Sequence, residues 1–249
     1  MNENHARTGW VWVTVALVLA LGLIGAAWIV TGGIVKIKAA ANTITVTGSA
    51  KQEIKSDLIV WNGTFTATSP QLSDAYALLK SSHDKVRAYL VSQGIAEKDL
   101  IFSSISTMIN RVILPNGTYT NQIESYTLTQ QVEIRSREVD KITELSRSAT
   151  ELINQGVEFQ SNPPQYFYTK IADLKVKMLS LATKDAFARA EQIATNAGSR
   201  VGALRFAKMG VFQITPLYSN IIADYGVNDT SSLEKEITSV VTCSFEIRE

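Results

Sequence analysis

The longest pattern in the chain is an unbroken apolar run. Between Arg7 and Lys36 no side chain ionises, and Trp10 to Val35 is almost wholly Val, Leu, Ile, Ala, Gly and Trp. About 20 such residues cross a hydrocarbon core of roughly 30 Å, so residues 9–35 are expected to form a membrane-spanning helix. Trp10 and Trp12 at one end and Trp28 near the other suit the interface, with Arg7, Lys36 and Lys38 as charged closures. Residues 1–8 are then a short tail and 36–42 a linker. Ala39, Ala40 and Ala41 would suit a cleavage site, but the apolar core of a signal peptide runs only about 7 to 15 residues, so the segment is expected to be retained. Flanking charges on the two sides nearly tie. Orientation therefore rests on layout: a short tail, one span and one folded domain predict a single-pass protein of the inner or cytoplasmic membrane. Its N-terminus would lie inside and its domain in the periplasm or outside the cell.

Beyond residue 42 the pattern switches between periods of two and of three to four. Thr43–Ala50 alternates Ile44 and Val46 with threonines, and Glu53–Thr68 carries Ile59, Trp61 and Phe65 on one parity, with Leu58 and Val60 on the other as if buried on both sides. Pro70 opens a helix over Gln71–Gln93, striped by Leu72, Tyr76, Leu79, Val86 and Leu90 and closed by Gly94. Leu100–Leu114 reads as one strand, and Pro115, Asn116 and Gly117 form a turn that returns the chain antiparallel. The returning strand, Tyr126–Arg135, alternates most regularly, so one face packs and the other meets water. Glu138–Asn154 is a second helix striped by Val139, Ile142, Leu145, Ala149 and Leu152. Val157–Ile171 is a strand broken by Pro163 and Pro164.

Lys170–Arg200 is the longest helix of the domain, with Ala172, Ala182, Ala186, Ala190, Ala194 and Ala197 allowing close approach to a sheet. Ala203–Thr215 is a strand, Pro216–Glu234 a long loop, and Lys235–Arg248 a final strand with Ile237, Val241, Cys243, Phe245 and Ile247 on one parity. The order ββαββαβαββ argues for an α+β domain over residues 43–249, with antiparallel sheets packed against helices, and against a doubly wound parallel fold.

Composition narrows function more than it defines it. Twenty-four basic and 23 acidic residues leave a net charge of +1, no field to attract nucleic acid. One cysteine precludes an intrachain disulfide, and with only His5 and His83 beside it no His and Cys zinc set can be assembled. His83 with Asp84 is the sole internal His-acid pair. It falls on the helix stripe, which points to the edge of a core. A Ser-His-Asp triad would need this same His, and no G-x-S-x-G surrounds any serine. Cys243 alternates inward, where burial makes a thiol inert, although a redox-sensing role is the sharper alternative. The glycine pairs lack a phosphate-loop setting. Lys184, Arg189 and Glu191 read as a solvated helix face or an intersubunit contact. No catalytic, cofactor-binding or metal-binding residue is assigned, and no cofactor is expected.

Several stretches, in their order and spacing, carry a resemblance. They are Ile44–Gly48 (ITVTG), Asp57 before an apolar strand, Tyr89–Ile95 (YLVSQGI) followed by Lys98, Asp99 and Leu100, and Tyr126 before an alternating strand. Most telling is Ala182–Ala194 (ATKDAFARAEQIA) running into Gly198, Val201 and Gly202. Together these resemble the SIMPL-domain family over roughly Thr43–Glu249. The resemblance implies an extracytoplasmic bacterial protein of the cell envelope, with relatives linked to oxidative-stress tolerance and surface antigens and at least one that assembles into a large ring or cage. Many relatives carry a cleaved signal peptide where this chain reads as anchored, and the loop Pro216–Glu234 departs from the shared pattern. The leading expectation is a non-enzymatic, membrane-anchored protein that self-associates into a homo-oligomer, partnered by lipid through residues 9–35. Its interfaces would come from open edge strands such as Tyr126–Arg135. The second expectation is a lipid or small-molecule binding module at the membrane surface, with Tyr166, Phe167, Tyr168, Tyr218 and Tyr225 lining a pocket. An enzyme ranks third.

Overall fold

The computed structural model describes residues 17, 19–31 and 42–249. Residues 19–31 form a helix, α1, whose described side chains are all apolar or small and all exposed. At about 1.5 Å per residue its described length is near 20 Å. Among the described residues no helix is long and apolar enough to cross a membrane. The expected tail at 1–8, the rest of the expected span and the linker up to residue 41 lie outside the described residues.

From residue 43 the chain is α+β. The strands are β1 (Thr43–Lys55), β2 (Leu58–Ser69), β3 (Leu100–Phe102), β4 (Ser106–Ile113), β5 (Tyr119–Ser136), β6 (Glu158–Ser161), β7 (Gln165–Phe167), β8 (Arg200–Met209), β9 (Gln213–Pro216), β10 (Val227–Asn228) and β11 (Glu234–Arg248). The helices are α2 (Leu72–Ser92), α3 (Val139–Ser148) and α4 (Ile171–Asn196). The chain divides into two compact units. One takes the described residues up to Ala50 with Leu179–Gly210 and Val240–Glu249, and the other takes Lys51–Met178 with Val211–Ser239.

The larger unit is built on a six-stranded sheet, β3-β5-β2-β6, with β4 also on β5 and β7 also on β2, all antiparallel. Period-two patterning explains the burial. Ile59, Trp61, Phe65 and Ala67 face inward from β2, and Leu128, Val132 and Ile134 from β5, while Leu58 and Val60 are only partly buried, so one face of β2 packs and not both. Onto that face α2 brings Ala75, Leu79, Val86, Tyr89 and Leu90, and α3 with the 3-10 segment after it brings Val139, Ile142, Leu145, Ala149 and Leu152. Trp61 donates its indole N–H to Ser161 Oγ at 3.0 Å, which satisfies its polar atom in an otherwise apolar site.

Several expectations shift. Leu72 and Tyr76 are exposed, so the α2 stripe starts later and runs through Ala75 and Tyr89. Leu100–Leu114 is two strands because Ser103 interrupts the ladder: its hydroxyl accepts the Gln131 N–H at 3.1 Å where a backbone carbonyl would ordinarily stand. Glu138–Asn154 is α3 and then a tighter 3-10 segment, Ala149–Gln155, closed by Gly156 at φ 74°. Pro163 and Pro164 lie between β6 and β7, outside the ladder. The Pro216–Glu234 loop contains β10, which pairs parallel to β9.

In the smaller unit β11 lies between β1 and β8, with Val241 opposite Met209 and Cys243 opposite Ala207. Its core is narrow: Val46, Val241, Cys243 and Phe245 against Ala182, Ala186 and Ala190 of α4. Ala172 and Ala197, expected in the same stripe, are exposed.

Candidate functional site

The smaller unit shows why α4 carries alanines at every fourth position. A Cβ built on Gly48 would stand 2.3 Å from both Ala182 O and Ala186 N, so β1 and the helix meet backbone to backbone at a point where only glycine fits. One residue on, the Ser49 N–H donates to Asp185 Oδ2 at 2.7 Å, and Arg189 Nε donates to the same oxygen at 2.8 Å. The Ser49 hydrogen bond, joined by Arg189, holds the Asp185 carboxyl below its usual range against the opposing effect of burial. The ITVTG strand and the K-D-x-x-x-R helix thus form one lock.

The other candidates fall into separate places. His83 sits at the edge of the larger core, its ring 4.1 Å from that of Phe102 and its Nδ1 3.1 Å from Gln130 Oε1, while Asp84 is exposed. Cys243 is buried, and burial pushes its thiol up, away from the reactive thiolate. Tyr166 is buried with its hydroxyl 3.2 Å from Thr143 Oγ1, whereas Tyr218 and Tyr225 are 93% and 89% exposed, so the expected aromatic lining is not brought together. Among the described residues no three His, Cys, Asp or Glu side chains stand close enough to share a metal ion.

One residue escaped notice in the sequence. Lys235 is only 2% exposed and donates from Nζ to Tyr166 O at 2.7 Å and to Asp229 O. Burial draws its ammonium down, and the neighbouring Asp229 pulls it back up. Asp229 in turn accepts from the N–H and hydroxyl of Ser231 and from the Ser232 N–H. Lys235 therefore pins the Asp229 turn to the Tyr166 strand. The alternation of β11 carried that signal, since Lys235 shares its parity with Ile237 and Val241.

The open edges differ from expectation. Tyr126–Arg135 is not an edge: β2 pairs it on one side, and β3 and β4 pair it on the other. The bare part is the hairpin beyond it. β2 ends at Ser69 opposite Tyr126, so residues 119–125 of β5 pair with β4 alone, and among the described residues no strand pairs the outer side of β4. Along this two-stranded arm Met108 (59% exposed), Ile109, Ile113, Leu114, Tyr119 (70%) and Ile123 stand open. Thr107 faces Leu128 and Ile109 faces Tyr126, so the core side of the sheet runs on into the arm, where its apolar side chains stand uncovered among the described residues.

A mixed α+β chain whose glycine-bearing first strand locks against an alanine-striped helix is the class these observations define. The model of the SIMPL family, described as a protein of unknown function (DUF541), matches residues 44–245, and the chain belongs to that family. No curated protein matches the chain with significance.

Proposed function

We propose that this SIMPL protein is anchored in a membrane by its N-terminal apolar segment, stands with its folded part outside the cytoplasm, and assembles with copies of itself through the β4–β5 arm. The bare arm is the observation that carries the reading. An isolated two-stranded hairpin is marginally stable in water, and this one presents two different unpaired edges together with an apolar face. Pairing the β4 edge of one copy with the 119–125 edge of the next is head-to-tail, and such an interface makes a ring when its rotation closes. Anchoring supports assembly by holding copies in one plane and raising their effective concentration. The anchor itself is supported by α1, whose described side chains are all apolar or small and all exposed, a pattern at home in lipid.

Native mass measurement of the full chain in mild neutral detergent tests this. A multiple of the chain mass is expected, falling to one chain in an Ile109→Asp, Ile123→Asp double variant that keeps its circular dichroism. A wild-type mass of one chain overturns the assembly. Protease added to spheroplasts should digest the domain, and its failure to do so would overturn the placement.

A second reading, contact with the membrane surface, draws on the loop that follows β9. Tyr218, Ile221, Ile222 and Tyr225 all stand exposed on it, which suits an interfacial patch. Lipid retained by the wild type and lost on Ile222→Asp would favour it.

A further inference from the structure

Within the larger unit a cleft of about 420 Å³ opens where the β1–β2 turn meets the starts of α3 and α4. Its acids are already matched. Asp140 takes both of its hydrogen bonds from Lys55 Nζ, each 3.0 Å, and Asp57 accepts the Thr169 N–H and hydroxyl, each at 2.7 Å. Two cations on the same lining, Arg137 and Lys170, have no carboxylate within 4 Å among the described residues. Ser56 lines the cleft too. It is 3% exposed, and its hydroxyl is buried without a hydrogen-bond partner among the described residues. A buried hydroxyl left unpaired is costly unless a ligand supplies the partner. The start of α3 adds free N–H groups, because its first residue, Val139, lies on the cleft and no side chain caps the helix.

We propose that this cleft binds the phosphoryl group of a small polar molecule. A phosphoryl group offers acceptor oxygens enough for the guanidinium of Arg137, the ammonium of Lys170, the Ser56 hydroxyl and the helix N–H groups at once. It also brings negative charge to two cations that no carboxylate contacts among the described residues, although Lys170 already acts on Asp57 from beyond that range. The cleft falls within the range of small-ligand pockets, roughly 300–1,000 Å³, and so has room for more than a bare ion. Its lining is charged where ordinary drug-like pockets are apolar, which favours a hydrophilic carrier over a hydrocarbon one.

The test uses the full chain in neutral detergent, titrated with inorganic phosphate, with glycerol 3-phosphate, and with phosphatidylcholine vesicles containing or lacking phosphatidic acid. Saturable binding is expected, weakened about tenfold or more by Arg137→Ala and by Lys170→Ala, both at exposed positions, and unchanged by Lys184→Ala on the other unit. Ser56→Ala should lower affinity without lowering stability, since the hydroxyl has no partner to lose. Binding of the two soluble phosphates, weakened by the same variants, is the expected result, and binding of phosphatidic acid vesicles alone overturns the proposal by assigning the site to a lipid headgroup. Absence of saturable binding to all of these, or equal binding by wild type and the Arg137→Ala, Lys170→Ala double variant, overturns the proposal.

Discussion

The two units bring helix and sheet together by opposite means. In the larger, bulky side chains fill the space: Trp61, Phe65 and Ile59 from the sheet meet Leu79, Val86, Leu90 and Ile142 from the helices, and each is almost or wholly buried. In the smaller, the space itself is removed, since Gly48 and the alanines of α4 let the backbones approach until a single methyl would not fit. A core of the first kind fails when atoms are taken away, and one of the second kind fails when atoms are added. The contrast matters for reading other sequences. A narrow core buries little hydrocarbon, so its stability rests on shape and on a few hydrogen bonds, among them those to Asp185.

The sharpest way to break the comparison is Trp61→Ala, which should cost about 3–5 kcal/mol by emptying a buried site and taking from Ser161 its indole donor. Urea unfolding of the full chain in detergent gives the size, and hydrogen exchange should show the loss concentrated in β2 and β5. Next comes Gly48→Val, which adds carbon where the backbones touch and should cost on the order of 3 kcal/mol. Here exchange should rise in α4 from Ala182 to Ala194 while β2 and β5 keep their protection; uniform loss in both units would erase the distinction. The smallest effect is that of Asp185→Asn, about 1 kcal/mol at neutral pH, because the carboxylate is a third exposed and partly screened. The sign follows from a carboxyl held below its ordinary value of about 3.9. Its stabilisation is complete above that value and is lost as pH falls through it towards the lower native one. The gap between wild type and variant in urea midpoint should therefore be full at pH 7 and close below about pH 4.

Much of the architecture was legible because it is periodic. The β2 alternation named Ile59, Trp61 and Phe65, the alternation of Tyr126–Arg135 set one packed face that holds Leu128, Val132 and Ile134, and the α3 stripe stayed on the core even where the helix tightened into a 3-10 segment. What failed were boundaries and partners. Ser103 breaks a ladder through a hydroxyl that meets Gln131, a residue 28 positions away. Tyr126–Arg135 looked like an available edge, but strand pairing covers it on both sides and leaves the arm beyond it bare instead. Of the candidate site, the sequence marked Gly48 and Asp185 only as parts of a family pattern and Arg189 also as part of a solvated or intersubunit helix face, without the contacts to Ser49 and Asp185 that explain them.

The sequence alone determined the α+β class, the coarse alternation of strands with three helices, the apolar run near the start and membership in a family, because each of these is written in neighbouring residues and in short repeating periods. The splitting of three expected strands into pairs was not. Tertiary structure decided the rest: that Gly48 meets Ala182 and Ala186, that Lys235 is buried under Tyr166 and Asp229, and that Arg137, Lys170 and Ser56 line one cleft. The bond from Ser49 to Asp185 spans 136 positions of the chain, and no local period encodes a distance of that kind.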